Sequence, residues 1–234
     1  MERIHVVGCG PRSGTTLITE MLIACFEIDL HTNHENSIFT WPWHWGHVFV
    51  TKKPRDVILV EEVRASMQHR HVIFMLRDPR DMIVSRHGRT PDKYWCGLEF
   101  WKAYKPFADR LRMHPRFITV RYEDLVTQPD TIQKQLMEQM PFLRKKTLFS
   151  QFNELAQPSK ASELALGGTR TVSTDSIGNW RNHLPRVAGQ IRSHGSLTKD
   201  LIDFGYEKDA LWEQELQGIE PDMTPSHWPE FFSE

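Results

Sequence analysis

No apolar run in the 234 residues approaches the roughly 18 consecutive positions that a membrane-spanning helix needs. Cysteine is scarce: Cys9, Cys25 and Cys96 stand at unrelated spacings, with no CxxC pair. An odd, scattered set argues against a disulfide framework or a cysteine-held zinc site, and it suits a reducing compartment. Neither sign of charge is in excess. With 29 basic and 30 acidic residues the formal net charge is -1, so no positive field coats a nucleic acid or an anionic membrane, and any anion must be bound locally. Repeats and low-complexity tracts are also missing. A first strand that begins by Ile4 leaves no room for a signal peptide, so a cytoplasmic setting is expected.

What the chain does have is a glycine-rich turn, Gly8-Cys9-Gly10-Pro11-Arg12-Ser13-Gly14-Thr15-Thr16-Leu17. It stands between an apolar run from Ile4 to Val7 and an amphipathic run from Thr16 to Phe26. A strand, a tight loop and a helix opening at the loop's end can hold a phosphate-like anion. Glycines let the backbone come close, and the first helical N–H groups lack an intrahelical partner. The nearest named pattern is the nucleotide triphosphate loop, G-x-x-x-x-G-K-[ST], and the match fails in two places. Cys9 stands at the first glycine and Thr15 at the lysine, so the loop's cation is Arg12. Without the lysine that reaches the β- and γ-phosphates, the loop is poorly equipped for NTP hydrolysis. An arginine fork with several hydroxyls still suits a planar or tetrahedral oxyanion.

A second anion site is expected at Leu76-Arg77-Asp78-Pro79-Arg80-Asp81-Met82-Ile83-Val84-Ser85. It follows the apolar run from His71 to Leu76, which is typical of a parallel strand buried on both faces. Asp78 is a good N-cap, Pro79 suits the first helical position, and Asp81 adds negative charge to the first turn. Arg77 then sits at the carboxyl end of its strand, the edge where open α/β sheets bind ligands. Ser85, two helical turns past Asp78, returns to nearly the same side and could share an anion with Arg77.

These stretches resemble the sulfotransferases that use 3′-phosphoadenosine 5′-phosphosulfate (PAPS). Pro11 to Leu17 resembles the family's loop for the 5′-phosphosulfate. Arg77 to Ser85 resembles its 3′-phosphate element, where an arginine and a serine are paired at the same interval. Val120-Arg121-Tyr122-Glu123-Asp124-Leu125 and Ser176-Ile177-Gly178-Asn179-Trp180-Arg181-Asn182-His183-Leu184 also agree, in order, and the resemblance runs from Ile4 to about Tyr206. It implies sulfuryl transfer from PAPS to a hydroxyl, or less readily an amine, of a small-molecule, sugar or lipid-like acceptor. The expected product is adenosine 3′,5′-bisphosphate (PAP), and no metal is needed. By the same resemblance Arg12, with the amides and hydroxyls of Ser13, Gly14, Thr15, Thr16 and Leu17, would hold the 5′-phosphosulfate, and Arg77 and Ser85 would clamp the 3′-phosphate. Trp180 either contacts the nucleotide or anchors its loop, and Arg181 beside it is a further nucleotide-binding candidate. Lys53, or Lys52 beside it, resembles the lysine that stabilises the departing phosphate oxygen.

Two features depart from the family's pattern. Lys53-Pro54-Arg55 lacks the histidine of the cytosolic branch's Lys-Thr-His; other branches of the family use a glutamate just beyond the first helix, and the resemblance implies a general base there. There Asn33-His34-Glu35-Asn36 offers Glu35 first and His34 second, with His31 third. The Arg-Lys-Gly that precedes the family's C-terminal loop is missing, and Arg170 lies farther upstream.

Strands at about 4–8, 48–51, 71–77 and 116–121, separated by helices, imply an α/β fold with a mostly parallel central sheet flanked by helices on both faces. That is the P-loop-like sulfotransferase architecture. Helices are expected at about 56–69, 93–113 and 129–140, the second carrying Tyr94, Trp95, Trp101 and Tyr104 into the core, and Gly167-Gly168 opens a polar loop. Residues 27–47 read as a loop-rich insert whose Trp41, Trp43 and Trp45 either pack as a satellite core or line an acceptor pocket. One domain over 1–206 and an acidic, proline-containing tail over 207–234 complete the reading. Two other classes share parts of it. A small-molecule kinase would use the same sheet and first loop but needs a lysine there and a magnesium site. A non-catalytic PAPS or nucleotide binder would keep Arg12, Arg77 and Ser85 and have no use for Glu35 or Lys53.

Overall fold

Ile4, His5, Val6 and Val7 are all buried, so the first strand, β1 (Glu2–Gly8), is covered on both faces, which its unbroken apolar run reflects. The computed structural model describes residues 1–33, 35–42, 44–63, 69–87, 90–166 and 172–228. After β1 come α1 (Thr15–Cys25), β2 (Leu30–His31), β3 (Val48–Lys52), a 3-10 helix (Pro54–Leu59), α2 (Val60–Val63), β4 (Arg70–Leu76) and α3 (Pro79–Ile83). Next are β5 (Arg86–His87), β6 (Thr90–Tyr94), α4 (Leu98–Leu111), β7 (Phe117–Arg121), α5 (Tyr122–Thr127) and α6 (Pro129–Gln139). The chain continues with α7 (Phe152–Leu155), α8 (Lys160–Leu166), α9 (Leu184–His194) and α10 (Thr198–Asp203). Packing divides it into two units: Met1–Arg77 with Tyr104–Thr174, and Asp78–Ala103 with Asp175–Glu234.

In the first unit β2, β3, β1, β4 and β7 lie side by side in that order, every pair parallel. From β1 the chain builds β2 and β3 on one side, then crosses back to place β4 and β7 on the other. The carboxyl end of β1 is therefore the topological switch point, where an open α/β sheet leaves a ligand crevice. One sheet face, carrying Ile4, Val6, Val48, Val50, Ile73 and Met75, is buried with Ile18, Met21 and Leu22 of α1 and Leu136 of α6. Each such side chain contributes about 1.5–3 kcal/mol when fully buried.

The opposite face of β1 and β3 holds a polar network. His5 Nδ1 lies 2.7 Å from Thr51 Oγ1, and Nε2 lies 3.5 Å from Asp56 Oδ2. Burial holds the His5 imidazole below its ordinary value, against the pull of Asp56. Asp56 also accepts a hydrogen bond from Ile38 N at 2.7 Å, and Arg3 Nη2 donates to Ile38 O at 3.1 Å. Together they tie the loop after β2 to the sheet.

The second unit opens on α3. Asp78 caps it, accepting from Arg80 N at 2.8 Å, and Pro79 takes the first turn, as its sequence predicts. The helix stops at Ile83, however, so Ser85 lies past its end rather than two turns along it. The helix expected from residue 93 begins only at Leu98: Tyr94 ends the short strand β6, and Trp95 is stacked between His87 and His227, with ring centres 4.2 and 4.5 Å away. Residues 207–228, expected as a tail, are packed into this unit. Glu207 pairs with Arg80 at 2.6 Å, Trp212 is buried, and Ser226 Oγ accepts from Arg186 Nη2 at 2.6 Å.

The remaining expectations divide. The helix predicted over 56–69 starts instead as a 3-10 turn that passes into α2, and residues 64–68 and Gly167-Gly168 lie outside the described residues. In the aromatic insert Trp45 is 96% exposed, and Trp41 is exposed with the Arg3 guanidinium 4.7 Å from its ring centre, so neither forms a satellite core. Trp43 is outside the described residues. Among the described residues no helix is long and apolar enough to cross a membrane.

Candidate functional site

The turn after β1 can fold back on its strand only with glycine at two places. A Cβ on Gly8 would sit 2.1 Å from Ser13 Oγ, which is fully buried and donates to Gly10 O at 2.8 Å. Gly14 has φ 95 and a Cβ there would meet the Tyr122 ring at 2.5 Å. Gly14 is also the N-cap of α1. Ile18 N donates to its carbonyl at 3.2 Å, so the amides of Thr15, Thr16 and Leu17 come before any helical carbonyl can reach them. Arg12 is held in the left-handed region at φ 67 and its Nη1 donates to Ala165 O of α8 at 2.8 Å.

β3 adds a lysine, and strand parity decides which. Successive strand residues point to opposite faces, so Lys52 shares with Val48 and Val50 the face that packs on α1. Lys52 is only 6% exposed; its Nζ donates to Thr16 Oγ1 at 3.0 Å and lies 3.9 Å from Glu35 Oε1. Glu35 belongs to the loop after β2, fixed by Asn36 N donating to Lys52 O at 2.9 Å. Its side chain is 39% exposed, so it can reach a ligand from solvent. Burial pushes the Lys52 ammonium below its ordinary value, against the opposing pull of Glu35 and Glu20. Lys53, the lysine first expected here, turns to the other face and pairs with Asp56 at 3.6 Å.

β4 and β7 complete the edge. Arg77 follows β4; its Nη1 donates to Arg12 O at 2.8 Å, and its guanidinium lies 4.2 Å from the centre of the Tyr122 ring. Tyr122, the residue after β7, thus packs against both Gly14 and Arg77. The Cys9 thiol points at Arg77 O across 3.8 Å, and burial pushes it far above the ordinary thiol range, so it is no nucleophile. Glu35, Lys52, the turn, Arg77 and Tyr122 therefore follow the carboxyl ends of β2, β3, β1, β4 and β7. A helix N-terminus, hydroxyls and a buried ammonium make a place for an anion, with a carboxylate beside it.

No protein-family model matches the sequence, and no curated protein is detectably similar to it along its sequence. Solved structures are similar in fold. The sulfotransferase domain of the Synechococcus PCC 7002 olefin synthase superposes with a TM-score of 0.55 at 15% identity, covering 77% of this chain and 87% of that one. The sulfotransferase domain from the curacin biosynthetic pathway gives 0.54 at 16% identity, covering 77% and 91%. Retinol dehydratase in complex with androsterone and inactive cofactor PAP gives 0.41 at 15%, covering 77% and 75%. The chain has the sulfotransferase fold.

Within this sulfotransferase fold the other predicted residues are placed as follows. Ser13 is turned inward to Gly10, Thr15 is buried, and Leu17 packs against the core. His31 is exposed at the end of β2, whereas His34 and Arg170 lie outside the described residues. In the second unit Trp180 is 1% exposed, with Arg80 and Arg181 each 4.2 Å from its ring centre. It anchors the Gly178 loop, whose Gly178 and Trp180 amides donate to Asp81 at 2.7 and 2.9 Å. Arg181 is clasped by Glu215 at 3.0 Å. Trp180 is thus sealed within the unit, whereas the Arg181 side chain is exposed. Among the described residues no three His, Cys, Asp or Glu side chains gather to hold a metal ion.

Of the two lysines the sequence offered, pleat parity counted back from Lys52 to Val48 places Lys52 on the α1 face. Tyr122, quoted only as part of the stretch after β7, was given no role of its own.

Proposed function

We propose that this chain is an enzyme that transfers the sulfuryl group of PAPS to a hydroxyl of a small-molecule, sugar or lipid-like acceptor. The observation that carries this reading is the Thr16–Lys52–Glu35 cluster at the first turn of α1: a buried ammonium and a half-exposed carboxylate 3.9 Å apart. The residues fit the donor. Glycine at 8 and 14 lets Ser13 and Tyr122 close in and tighten the turn, and the Lys52 ammonium is desolvated beside the N-terminus of α1, an arrangement that favours a phosphate-like anion.

PAPS would supply an activated sulfuryl group on a phosphate leaving group. The amides of Thr15, Thr16 and Leu17, with the Thr16 hydroxyl, would bind its 5′ end. Arg77, steadied over Tyr122, would bind the 3′-phosphate, and the sequence resemblance adds Ser85 as second ligand. Lys52 would stabilise charge on the departing phosphate oxygen, in place of Lys53. Glu35 would take the acceptor's proton as its oxygen bonds to sulfur and the bond from sulfur to the phosphate oxygen breaks. Arg12 contributes its carbonyl to Arg77 and its side chain to Ala165, which shapes the turn.

Glu35→Gln tests the assignment. With labelled PAPS and a panel of sugar and lipid-like alcohols, the variant should bind PAP as the wild type does and lose roughly 10²–10⁴-fold in transfer. Wild-type transfer by Glu35→Gln would remove Glu35 from the mechanism. PAP binding by the wild type with no transfer to any alcohol would favour the non-catalytic binder.

A further inference from the structure

Glu20 stands one helical turn beyond Thr16 on α1, on the same side of the helix and about 6 Å along its axis. It is only 9% exposed, and among the described residues no hydrogen bond or ion pair reaches its carboxylate. Lys52 feels its charge, as it feels that of Glu35. Its oxygens are not among the buried polar atoms sealed from solvent, so they stay open to a hydroxyl donated by a ligand. Glu20 lines a cleft of about 620 Å³ in the first unit, whose α1 wall continues with Ile23 and Ala24. The facing wall is built from Asn33, on the loop that leads to Glu35, and from Gln157 and Ser159. Ser159 Oγ donates to Asn33 O at 2.8 Å, which joins the two halves of that wall.

We infer that this cleft receives the acceptor and that Glu20 selects a neutral, polyhydroxylated molecule, a sugar or cyclic polyol, by accepting a hydrogen bond from a hydroxyl about one helical turn from the one that reacts. This inference rests on the sulfotransferase reading above and names its substrate class. Three features choose a polyol. The amides of Asn33 and Gln157 both donate and accept, as several hydroxyls require. Apart from the His31 imidazole, no aromatic ring among the described residues lines the cleft to stack on a flat phenol, whereas Ile23 and Ala156 offer aliphatic contact to a ring's C–H face. Lys146, also lining it, carries the sign opposite to Glu20, so a singly charged ligand gains at one and loses at the other.

The test uses the full chain with labelled isoleucine, leucine and alanine methyl groups, saturated with PAP. It is titrated with methyl glucoside or myo-inositol, and with cyclohexanol as a ring of similar size bearing one hydroxyl. The polyols should shift the Ile23, Ala24, Leu155 and Ala156 methyl resonances saturably and cyclohexanol should not. Glu20→Gln should weaken the polyol roughly 10- to 100-fold and leave PAP affinity unchanged. Gln157→Trp, a change at an exposed position of the rim, should also block the polyol while the protein stays folded. If PAP binds but cyclohexanol competes equally, or the shifts fall away from the cleft, this inference alone fails. If PAP does not bind the wild type, the donor reading fails and this inference with it.

Discussion

Lys52→Met removes the buried cation and keeps an unbranched side chain of similar length. Lys52 Nζ lies 3.0 Å from Thr16 Oγ1 at the first turn of α1, and the residue is almost wholly withdrawn from water. A preorganised donor to developing charge in such a setting is worth on the order of 3 kcal/mol, or roughly 10²-fold in kcat. Stability should move the other way. Burial holds the ammonium below its ordinary value, so the folded state disfavours the charged form, and deleting it should leave the melting temperature at pH 7 unchanged or raised. Glu35, partly in water, tolerates the loss. Lys53→Met is the matched control, since that ammonium faces Asp56 on the opposite side of the strand, and kcat should change by less than about threefold. Steady-state sulfuryl transfer gives the rates, and PAP calorimetry shows whether the donor site survives. A Lys52→Met enzyme with wild-type kcat, or a Lys53→Met enzyme slower than Lys52→Met, would refute the parity argument and the role assigned to Lys52.

Three further outcomes are expected. Gly14→Ala places a methyl against the Tyr122 ring at a left-handed position; it should destabilise the protein by about 1–3 kcal/mol and weaken PAP at least tenfold, read by thermal melting and calorimetry. His5 has its folded value held below the ordinary 6.5, so the unfolded chain takes a proton at a pH where the folded chain resists it. Stability is therefore full above about pH 6.5 and falls as pH drops below it. Melting temperature measured from pH 7.5 to 5 should show that slope, His5→Gln should flatten it in part, since His71 is shifted the same way, and an unchanged slope would exclude His5 as its source. Asp81→Asn loses the carboxylate that accepts from Gly178 and Trp180, which should cost about 1–3 kcal/mol and speed hydrogen exchange at those two amides.

How much of this was legible in the sequence depends on whether the signal is local. The order strand, glycine turn, helix could be read at Ile4 to Phe26 because each step is dictated by neighbours in the chain, and the same holds for Asp78-Pro79 opening α3. The parallel order of the sheet and the place of Arg77 at a strand's carboxyl end followed from alternating apolar strands and helices. The family motif left Lys53 and Lys52 both open, and only pleat parity separates them, turning Lys52 toward Thr16 and Lys53 toward Asp56. Ser85 was placed on a helix that ends at Ile83, since nothing in Met82-Ile83-Val84 announces a stop. The choice between the two roles of Trp180, and the packing of the segment after 206, were not legible for a different reason: what buries them is far away in sequence. Arg80 lies over Trp180, and Glu207 reaches back to Arg80 across 127 positions, a pairing no local pattern encodes.

The most direct test of the central claim is calorimetric titration of the purified protein with PAP, against ADP and against ATP with magnesium. Preference for PAP, abolished in Arg77→Ala, is the predicted result, because the 3′-phosphate is what Arg77 would read. Preference for ATP with magnesium, or PAP binding that survives Arg77→Ala unchanged, would contradict the account.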